Sequence, residues 1–579
     1  MSPNLHIFGA PYERRGFLAR ARGAIHAFSP FERVVFMVLL TVFVGSTAIL
    51  AMRANAMLLV EIPAEGGTII EGAIGVPRFI NPLIAESDTE RDLVSLIYAG
   101  LLDRDPNGML SGELAETYSI SEDGLTYRFT LRDNLTFHDG SPVTADDVAF
   151  TIALAQNPTI ESPYRVDFAG VTVSVLSPLE VEFKLPSPYA PFLENMTIGI
   201  LPRHIWETAQ SEEIPTSQFN IEPIGAGPYK IDFIERDSSG IATSYHLEAF
   251  NDYARNEPHI RSIVFTFFRN ETDVLEALAG GTINAASGIS SANARAYEAS
   301  DTLQVVHAPL PRTFGVFFNY NRAQMLAKTE VRRALSLVLD RSKIVDASLG
   351  GFGVPLATPF LDIAGTTTPA DSERATTLLE NGGWTRRASD NKWVLETKES
   401  TTELAFTITT AEVPELLKAA EEVARQWNEF GASVSTTSFP PADLALSVIR
   451  PRKFDTLLFG MVTGREHDLY PFWHSSQRND PGLNIASYAN IDADAALTTL
   501  REETNPEERT EALGHFLTEV ATDAPAAFLF APELVYVAPK SLQNASLNGV
   551  TSSADRFATV SEWYMNTDTV WPFLENVFK

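Results

Sequence analysis

Cysteine is absent from all 579 residues of this chain. Disulfide bonds and metal sites built on cysteine are therefore excluded. The sequence also has no G-x-S-x-G, no H-E-x-x-H and no Walker loop, so the short motifs of several common enzyme classes are missing. These absences favour a protein that binds a ligand over one that breaks a bond. They weigh against an anchored extracellular hydrolase, which stays the alternative from the enzyme class.

Positive charge is scarce in the chain. It has 44 lysines and arginines against 74 aspartates and glutamates, a formal net charge of -30. Six arginines and two glutamates precede residue 54, which leaves -34 for the rest of the chain. A body of this charge repels phosphate groups, which argues against nucleic acid as a partner. The content of 45% hydrophobic residues is that of a globular protein, and the length predicts two or three domains.

A long apolar run stands near the N-terminus. Val34–Met52 is a run of nineteen residues without a charge, long enough as a helix to cross the hydrocarbon core of a bilayer. We predict a transmembrane anchor over 34–52, preceded by a short, basic, cytoplasmic segment over 1–33, because arginine-rich flanks stay in the cytoplasm. Ala54-Asn55-Ala56 resembles a signal-peptide cleavage site, so a cleaved signal peptide is the alternative. The length of the run favours the anchor.

The clearest local pattern lies between Asp123 and Thr151, DGLTYRFTLRDNLTFHDGSPVTADDVAFT. Apolar and polar residues alternate from Leu125 to Arg132, which predicts a half-buried strand. A second short strand is expected at 135–137. Thr144 and Asp147 have the spacing of a capping box, which predicts that a helix starts there.

This stretch resembles the signature of the extracytoplasmic solute-binding proteins of peptide ABC transporters, the dipeptide/oligopeptide-binding family (solute-binding family 5). Three further words of the chain resemble that family: PIGAGPYKI at 223–231, VRRALSLVLDRSKIV at 331–345 and YPFWHSSQRNDPGLNIASY at 470–488. The second of these is also expected to form an amphipathic helix. His138-Asp139 alone would suggest a metal or acid–base pair, but the resemblance implies a structural segment there.

The resemblance implies the fold. It predicts an α/β chain with the two-lobed, type II fold of periplasmic binding proteins and a cleft closed by a hinge. The transmembrane helix predicted from the apolar run precedes this fold. A linker is expected over 53–65, lobe I over 66–311 and lobe II over 312–533. The C-terminal return over 534–579 is expected to complete lobe I.

The resemblance also implies the function. A protein of this kind captures short peptides between its lobes and hands them to an ABC permease in the membrane, with no bond broken. No cofactor, metal or nucleic acid is implied, and the protein is expected to be monomeric, with its main domain outside the cytoplasm. Many relatives are tethered through a lipid-modified cysteine, which this chain lacks; a retained helix in the lipid bilayer would do the same. Binders of nickel or another solute, and receptors of the same fold, are the alternatives.

The ligand-binding candidates also follow from the resemblance. In many peptide binders of the family an aspartate just before F-W-x-S contacts the α-amino group of the ligand, and Asp468 stands in that register, with Glu466 as the fallback. An ammonium group buried between closed lobes needs a carboxylate partner. Further ligand-binding candidates in the recognised words are Trp473, Asn484, Asn319 and Tyr98. His467, Asp468 and His474 are a candidate metal cluster.

Overall fold

The computed structural model describes residues 29–361, 369–464 and 468–571. The chain divides into a small unit, formed by the residues up to Ala64 and those from Thr567 onward, and a large body, Glu65–Asn566.

The small unit contains the apolar helix. Helix α1 (Pro30–Leu58) is longer than the predicted span at both ends. It begins at a capping box, in which the Glu32 carboxylate accepts from the Ser29 N–H at 2.8 Å. Helix residues Pro30–Arg53 include an 18-residue stretch with a mean hydropathy of 2.5, and by length and composition they are able to cross a membrane. Strand β1 (Val60–Ala64) follows and pairs with β23 (Asn566–Val570). Most of the predicted segment 1–33 lies outside the described residues.

The body is mixed α/β. Its strands are β2 (Thr68–Ile74), β3 (Leu102–Arg104), β4 (Leu110–Gly112), β5 (Ala115–Ile120), β6 (Thr126–Leu131), β7 (Thr172–Ser177), β8 (Glu180–Lys184), β9 (Tyr229–Arg236), β10 (Ala242–Ala249), β11 (Ser262–Phe268), β12 (Ala285–Ser287), β13 (Leu303–Pro309), β14 (Arg312–Phe318), β15 (Gly353–Pro355), β16 (Trp384–Arg386), β17 (Trp393–Glu396), β18 (Thr401–Glu403), β19 (Ala405–Ala411), β20 (Ser433–Phe439), β21 (Thr456–Val462) and β22 (Ala526–Pro539). Its helices are α2 (Asp88–Ile97), α3 (Ala145–Gln156), α4 (Arg203–Trp206), α5 (Glu271–Gly280), α6 (Ser291–Ala294), α7 (Thr329–Leu337), α8 (Arg341–Leu349), α9 (Ser372–Asn381), α10 (Pro414–Glu429), α11 (Pro441–Asp443), α12 (Tyr470–Trp473), α13 (Ile491–Glu502) and α14 (Pro506–Asp523).

One large sheet runs through the body. Its strand order is β20-β19-β21-β14-β22-β12-β2-β11-β10-β9, and β13 and β15 also pair with β22. The N-terminal half of β22 pairs with β14 and β15, and its C-terminal half pairs with β13. The Leu310 N–H donates to the Pro532 carbonyl at 2.9 Å, so the two segments where the chain crosses along this sheet are tied together.

Two hydrophobic cores lie on either side of these crossovers. One core draws on residues between Ile69 and Leu310 and again between Leu534 and Trp563. Another lies within Val316–Phe530. We use lobe I for residues 66–311 with 534–579, and lobe II for residues 312–533, as names below; these boundaries stay a prediction. The described part of the C-terminal return ends at residue 571.

The signature stretch folds largely as its pattern predicts. In β6 the side chains of Tyr127, Phe129 and Leu131 are buried while their neighbours face solvent, as the alternation requires. The Thr144 N–H donates to the Asp147 carboxylate at 2.8 Å, and α3 starts at the next residue. The strand predicted at 135–137 is wrong: only an isolated bridge between Thr136 and Pro142 forms, because the chain turns back within a few residues.

The single helix predicted over VRRALSLVLDRSKIV (331–345) is also wrong. The structure has two helices, α7 and α8, and Asp340 caps the second by accepting from the Lys343 N–H at 3.2 Å. Arg332 and Arg341, both buried, donate to main-chain carbonyls: Arg332 to Ala524 at 3.0 Å and Arg341 to Phe528 at 2.8 Å. These two arginines therefore supply donors to the start of β22 and the residues before it.

His138 connects the signature stretch (123–151) with the segment PIGAGPYKI (223–231). Its Nε2 lies 3.0 Å from the Gly227 carbonyl, and its Nδ1 accepts from the Gly225 N–H at 3.4 Å. Burial lowers the pKa of His138 to about 4, so the ring is neutral at physiological pH. This arrangement gives His138 a structural part.

Candidate ligand-binding cleft

A cavity of about 530 Å³ lies between the two lobes, a size within the usual range of small-ligand sites. We call it the cleft cavity. Lobe I contributes Asp88, Arg91, Arg104, Tyr189, Glu194 and Thr551 to its wall, among others, and lobe II contributes Arg312, Thr463, Gly464 and Asp468.

The lobe II side of the cleft cavity is built on paired strands. Strands β14 and β21 are antiparallel neighbours, with Arg312 opposite Val462. Thr463, which follows β21, donates its N–H to the Pro311 carbonyl at 3.0 Å. The crossover at residues 310–312 and the end of β21 are therefore held side by side.

Asp468 lies on the wall of the cleft cavity with its side chain 18% exposed. The Tyr189 hydroxyl donates to its Oδ2 at 3.4 Å, and Arg501 Nη2 lies 3.7 Å from the same oxygen. Its Oδ1 accepts from the Tyr470 N–H at 3.3 Å. Burial raises the pKa of Asp468, against the lowering effect of Arg501. A ligand ammonium group in the cleft would stabilise the ionised form of this partly desolvated carboxylate.

Tyr189 and Arg501 bring the two lobes into contact beside Asp468. The Arg501 guanidinium lies 5.3 Å from the ring centre of Tyr189, in lobe I, and 4.8 Å from that of Tyr470, in lobe II. Distances of this size are typical of cation–π contacts. Sequence reasoning missed both Tyr189 and Arg501, because neither belongs to a recognised word and each reaches Asp468 only through the fold.

Tyr98 lines a second cavity, of about 330 Å³, which lies mainly in lobe I and shares Arg91 and Arg104 with the cleft cavity. Its ring is buried, and its hydroxyl lies 3.4 Å from the Ile80 carbonyl. Asp103 and Glu113 also line this cavity. Burial raises the pKa of both carboxyls, against the lowering effect of Arg255.

Asn484 and Asn319 lie in the core. The Asn484 amide donates to the carbonyls of Trp473 and Tyr488 at 3.1 and 2.9 Å. The Asn319 amide donates to the carbonyls of Arg452 and Phe454, at 2.9 Å each. These amides are occupied inside the protein, so the geometry favours a supporting part, and direct ligand contact stays a prediction.

Trp473 supports the segment that carries Asp468. It is wholly buried, and its ring centre lies 6.0 Å from that of Phe317 and 5.8 Å from that of Phe528. Its main-chain N–H donates to the Leu469 carbonyl at 3.1 Å. Ligand contact by Trp473 therefore also stays a prediction, since the core surrounds its ring.

The metal-cluster and fallback candidates are only partly visible. His467 and Glu466 lie outside the described residues. His474 stacks on Tyr470 with ring centres 4.1 Å apart, and its Nδ1 lies 2.8 Å from the Ser476 hydroxyl. In the described part of the chain no group of three or more histidine, aspartate and glutamate side chains is placed to hold a metal ion.

Comparison with known proteins agrees with this architecture. The sequence model of the bacterial extracellular solute-binding proteins, family 5 (middle region), matches residues 110–481. The oligopeptide-binding protein AppA of Bacillus subtilis is 26% identical over 504 residues, which cover 83% of this chain and 89% of that protein.

Solved structures show the same fold. The ABC transporter substrate-binding protein CtaP of Listeria monocytogenes superposes with a TM-score of 0.72 at 26% identity, covering 87% of this chain and 100% of that one. NikZ of Campylobacter jejuni, solved with Ni(L-His), gives a TM-score of 0.67 at 25% identity, covering 86% of this chain and 99% of that one. The predicted two-lobed type II fold is confirmed. With the family match across most of the body and a ligand-sized cavity between the lobes, the chain belongs to the bacterial extracellular solute-binding proteins of family 5.

Proposed function

We propose that this protein is a membrane-anchored, extracytoplasmic binding protein that captures short peptides in the cleft cavity and delivers them to an ABC permease. The observation that carries the proposal is the position of Asp468, a partly buried carboxylate on the wall of a cavity between two lobes. A relative covered over most of its length is named an oligopeptide-binding protein, which supports peptides as the ligand class.

The chemistry is binding without catalysis. Asp468 Oδ1 accepts only the long Tyr470 N–H bond at 3.3 Å among the described residues, so this oxygen has capacity left for a ligand ammonium group. The lobes close when a ligand binds the closed form better than the open one. The crossover at 310–312 and the middle of β22 are the segments at which such a movement takes place.

Tethering and delivery complete the proposal. Helix α1 holds the body at the outer face of the membrane, with the N-terminus in the cytoplasm. The body then remains near the permease, where a locally high concentration favours transfer of the ligand. The protein acts as a monomer and needs no cofactor.

A thermal-shift screen of the full-length protein in detergent tests the function. Several unrelated di- to pentapeptides are expected to raise the midpoint of unfolding, because a ligand that binds only the folded state stabilises it. Calorimetry on the best peptides, and mass spectrometry of copurified ligand, give independent readouts. Nickel with L-histidine, simple sugars and single amino acids form the comparison set. A response to the nickel complex or to one sugar alone would reject peptides as the ligand.

A further inference from the structure

Two arginines on the wall of the cleft cavity have N–H groups without an acceptor among the residues that the structure describes. Arg104 is 8% exposed, and its Nη2 pairs closely with Glu194. Its Nη1 is buried and has no hydrogen-bond partner in the described part of the chain. The Nε of Arg312 is also buried, and within residues 29–361, 369–464 and 468–571 it has no hydrogen-bond partner. Buried polar groups of native proteins are nearly always hydrogen-bonded. These two groups therefore point to an acceptor that comes from outside the chain.

The charges around the cleft cavity do not cancel. Asp88 pairs with Arg91 at 3.3 Å, Glu194 pairs with Arg104, and Asp468 lies 3.7 Å from Arg501. Within the part of the chain that the structure describes, the Arg312 side chain has no ion-pair partner. The wall itself holds three arginines and three carboxylates, and Arg501 lies beside it. Because Arg501 engages Asp468, Arg312 is left as the cation of the wall without an ion pair among the described residues, and closing the lobes over it is unfavourable unless a negative group enters with the ligand.

Both arginines are held in place by their main chains. Arg104 ends β3, and its carbonyl accepts from Arg255 Nη1 at 3.0 Å. Arg312 begins β14, directly after the crossover, and its strand is paired on one side with β21. Arg104 belongs to lobe I and Arg312 stands where lobe II begins, so a group bound by both links the two sides of the cleft.

We propose that Arg104 and Arg312 form a carboxylate-binding subsite of the cleft cavity. The planar guanidinium group presents its N–H donors in a fork that matches the two oxygens of a carboxylate. Together with Asp468 the cavity then recognises both ends of a charged ligand. The subsite itself does not depend on peptides being the ligand. Only the source of the carboxylate rests on the proposed function: it is either the C-terminus of a peptide or an acidic side chain.

The first test needs no peptide. Carbon-13 labelled acetate is titrated into the full-length protein in detergent, with sodium chloride keeping the ionic strength constant, and its relaxation is followed by NMR. Saturable binding is expected for the parent. Binding should be at least tenfold weaker in Arg312→Gln. The same loss is expected in Arg104→Lys, which keeps a charge for Glu194 but removes Nη1. Thermal unfolding confirms that both variants are folded.

A matched control removes an arginine elsewhere. Arg269 has a side chain that is 91% exposed, so Arg269→Gln makes the same change in net charge away from the cavity and should bind acetate as the parent does. Equal saturable binding in the parent and both cleft variants, or no saturable binding at all, would overturn the subsite.

The second test identifies the source of the carboxylate, with trialanine, trialanine amide and Ala-Glu-Ala amide as probes. For a terminal carboxylate, amidation of trialanine weakens binding to the parent at least tenfold, and Arg312→Gln weakens the free acid to about the same level. If the carboxylate comes from a side chain, Ala-Glu-Ala amide binds the parent more tightly than trialanine amide does. The two amides then bind Arg312→Gln with equal affinity. Peptides that fail to bind while acetate saturates would end the peptide proposal and support the subsite. Peptide affinity that changes neither on amidation, nor on adding a glutamate, nor in Arg312→Gln would count against the subsite.

Discussion

At the scale of single residues, Asp468 gives the sharpest prediction for ligand binding. Asp468→Ala is expected to weaken the binding of a free-amine peptide by roughly 2–5 kcal/mol, the range for losing one partner of a buried charge pair. The reason is that the ligand ammonium group would then be enclosed without a carboxylate. Isothermal titration calorimetry with trialanine measures the difference directly.

Two comparisons separate this effect from a general one. Asp443 is an exposed aspartate of lobe II, and Asp443→Ala should leave affinity unchanged. N-acetylated trialanine should bind the parent poorly and lose little more on the Asp468 change, because both alterations remove the same contact. Equal affinity of parent and Asp468→Ala for the free peptide would take Asp468 out of the site.

Asp468 was predictable as a candidate because it precedes a recognised word, whereas its surroundings were not. The Tyr189 hydroxyl reaches it from 279 positions away in the sequence. Nothing local marks Arg104 or Arg312 either: their interest lies in donors left without acceptors, which only the packed structure shows. Chemistry that depends on distant contacts is invisible to motif and periodicity.

At the scale of elements, helix α1 carries the prediction about location. The full-length protein should remain with the membrane fraction after alkaline carbonate washing, because a helix with an 18-residue stretch of mean hydropathy 2.5 is stable in the bilayer core. Cell fractionation and intact mass of the mature protein measure this. Recovery of soluble protein that begins at Met57 would show a cleaved signal peptide instead.

A matched pair of variants sharpens the location test. Ala56→Leu removes a small residue that signal-peptide processing requires, and it should leave the mature mass unchanged apart from the substitution itself. Val42→Lys puts a charge in the middle of the apolar helix, at a cost of about 2.5–3.5 kcal/mol for insertion, and should lower the membrane-bound fraction. A Val42→Lys protein as firmly membrane-bound as the parent would argue against a spanning helix.

Elements were predictable where the pattern is local. The alternation over β6 and the capping spacing before α3 each specify an element through neighbouring residues alone. The break between α7 and α8 was missed because apolar positions on both sides face one core, so the period continues across it. What ends the first helix is partly tertiary: the Asp340 N–H donates to the Gln426 side chain, on α10, at 2.7 Å.

The C-terminal return is fastened to lobe I by a buried charge cluster. Arg556 is wholly buried; it binds both carboxylate oxygens of Asp92 at 2.7 Å and lies 2.9 Å from Glu71. The Tyr536 hydroxyl donates to Glu71 at 3.0 Å. Removing one partner of such a cluster leaves the other buried charges unpaired. Arg556→Met should therefore cost about 3–5 kcal/mol of stability, measured by denaturant unfolding. A loss below 1 kcal/mol would contradict this account of the cluster.

The same cluster makes stability depend on pH. Burial raises the pKa of Glu71 to about 7, against the lowering effect of Arg556, from a value of 4.5 in the unfolded chain. The folded state therefore holds this proton more tightly than the unfolded state. Its contribution is complete below pH 4.5 and is lost as the pH rises to about 7, by on the order of 3 kcal/mol.

Glu71→Gln isolates the contribution of Glu71 ionisation to the pH dependence of stability. The variant cannot ionise, so its stability relative to the parent should increase between pH 4.5 and 7 and then level off. Urea unfolding at half-unit pH steps measures the difference. Glu276→Gln, at an exposed glutamate of α5, is the control and should follow the parent at every pH. Parallel curves for Glu71→Gln and the parent would show that Glu71 does not titrate in this window.

At the scale of the whole molecule, binding is expected to draw the lobes together. Saturating trialanine should reduce the radius of gyration in small-angle scattering and slow hydrogen exchange in the lobe I turn at 190–197 and in the end of β21. Both regions border the cleft cavity, so closure removes them from solvent. An unchanged radius of gyration at full occupancy would mean that the lobes do not close on the ligand. The two-lobed plan itself was foreseen only through resemblance, since composition indicated no more than several domains.

Strand β22 has a consequence for the time course of folding. The core within Val316–Phe530 comes from one continuous segment, but the core of lobe I also takes in residues between Leu534 and Trp563, which are synthesised after that segment. The part of lobe I that leaves the ribosome first must wait, with apolar surface exposed, until nearly the whole chain has been synthesised and exported. Lobe II needs no residue beyond the N-terminal half of β22, so its core can form earlier. The lobe that is begun first is thus the lobe that is finished last.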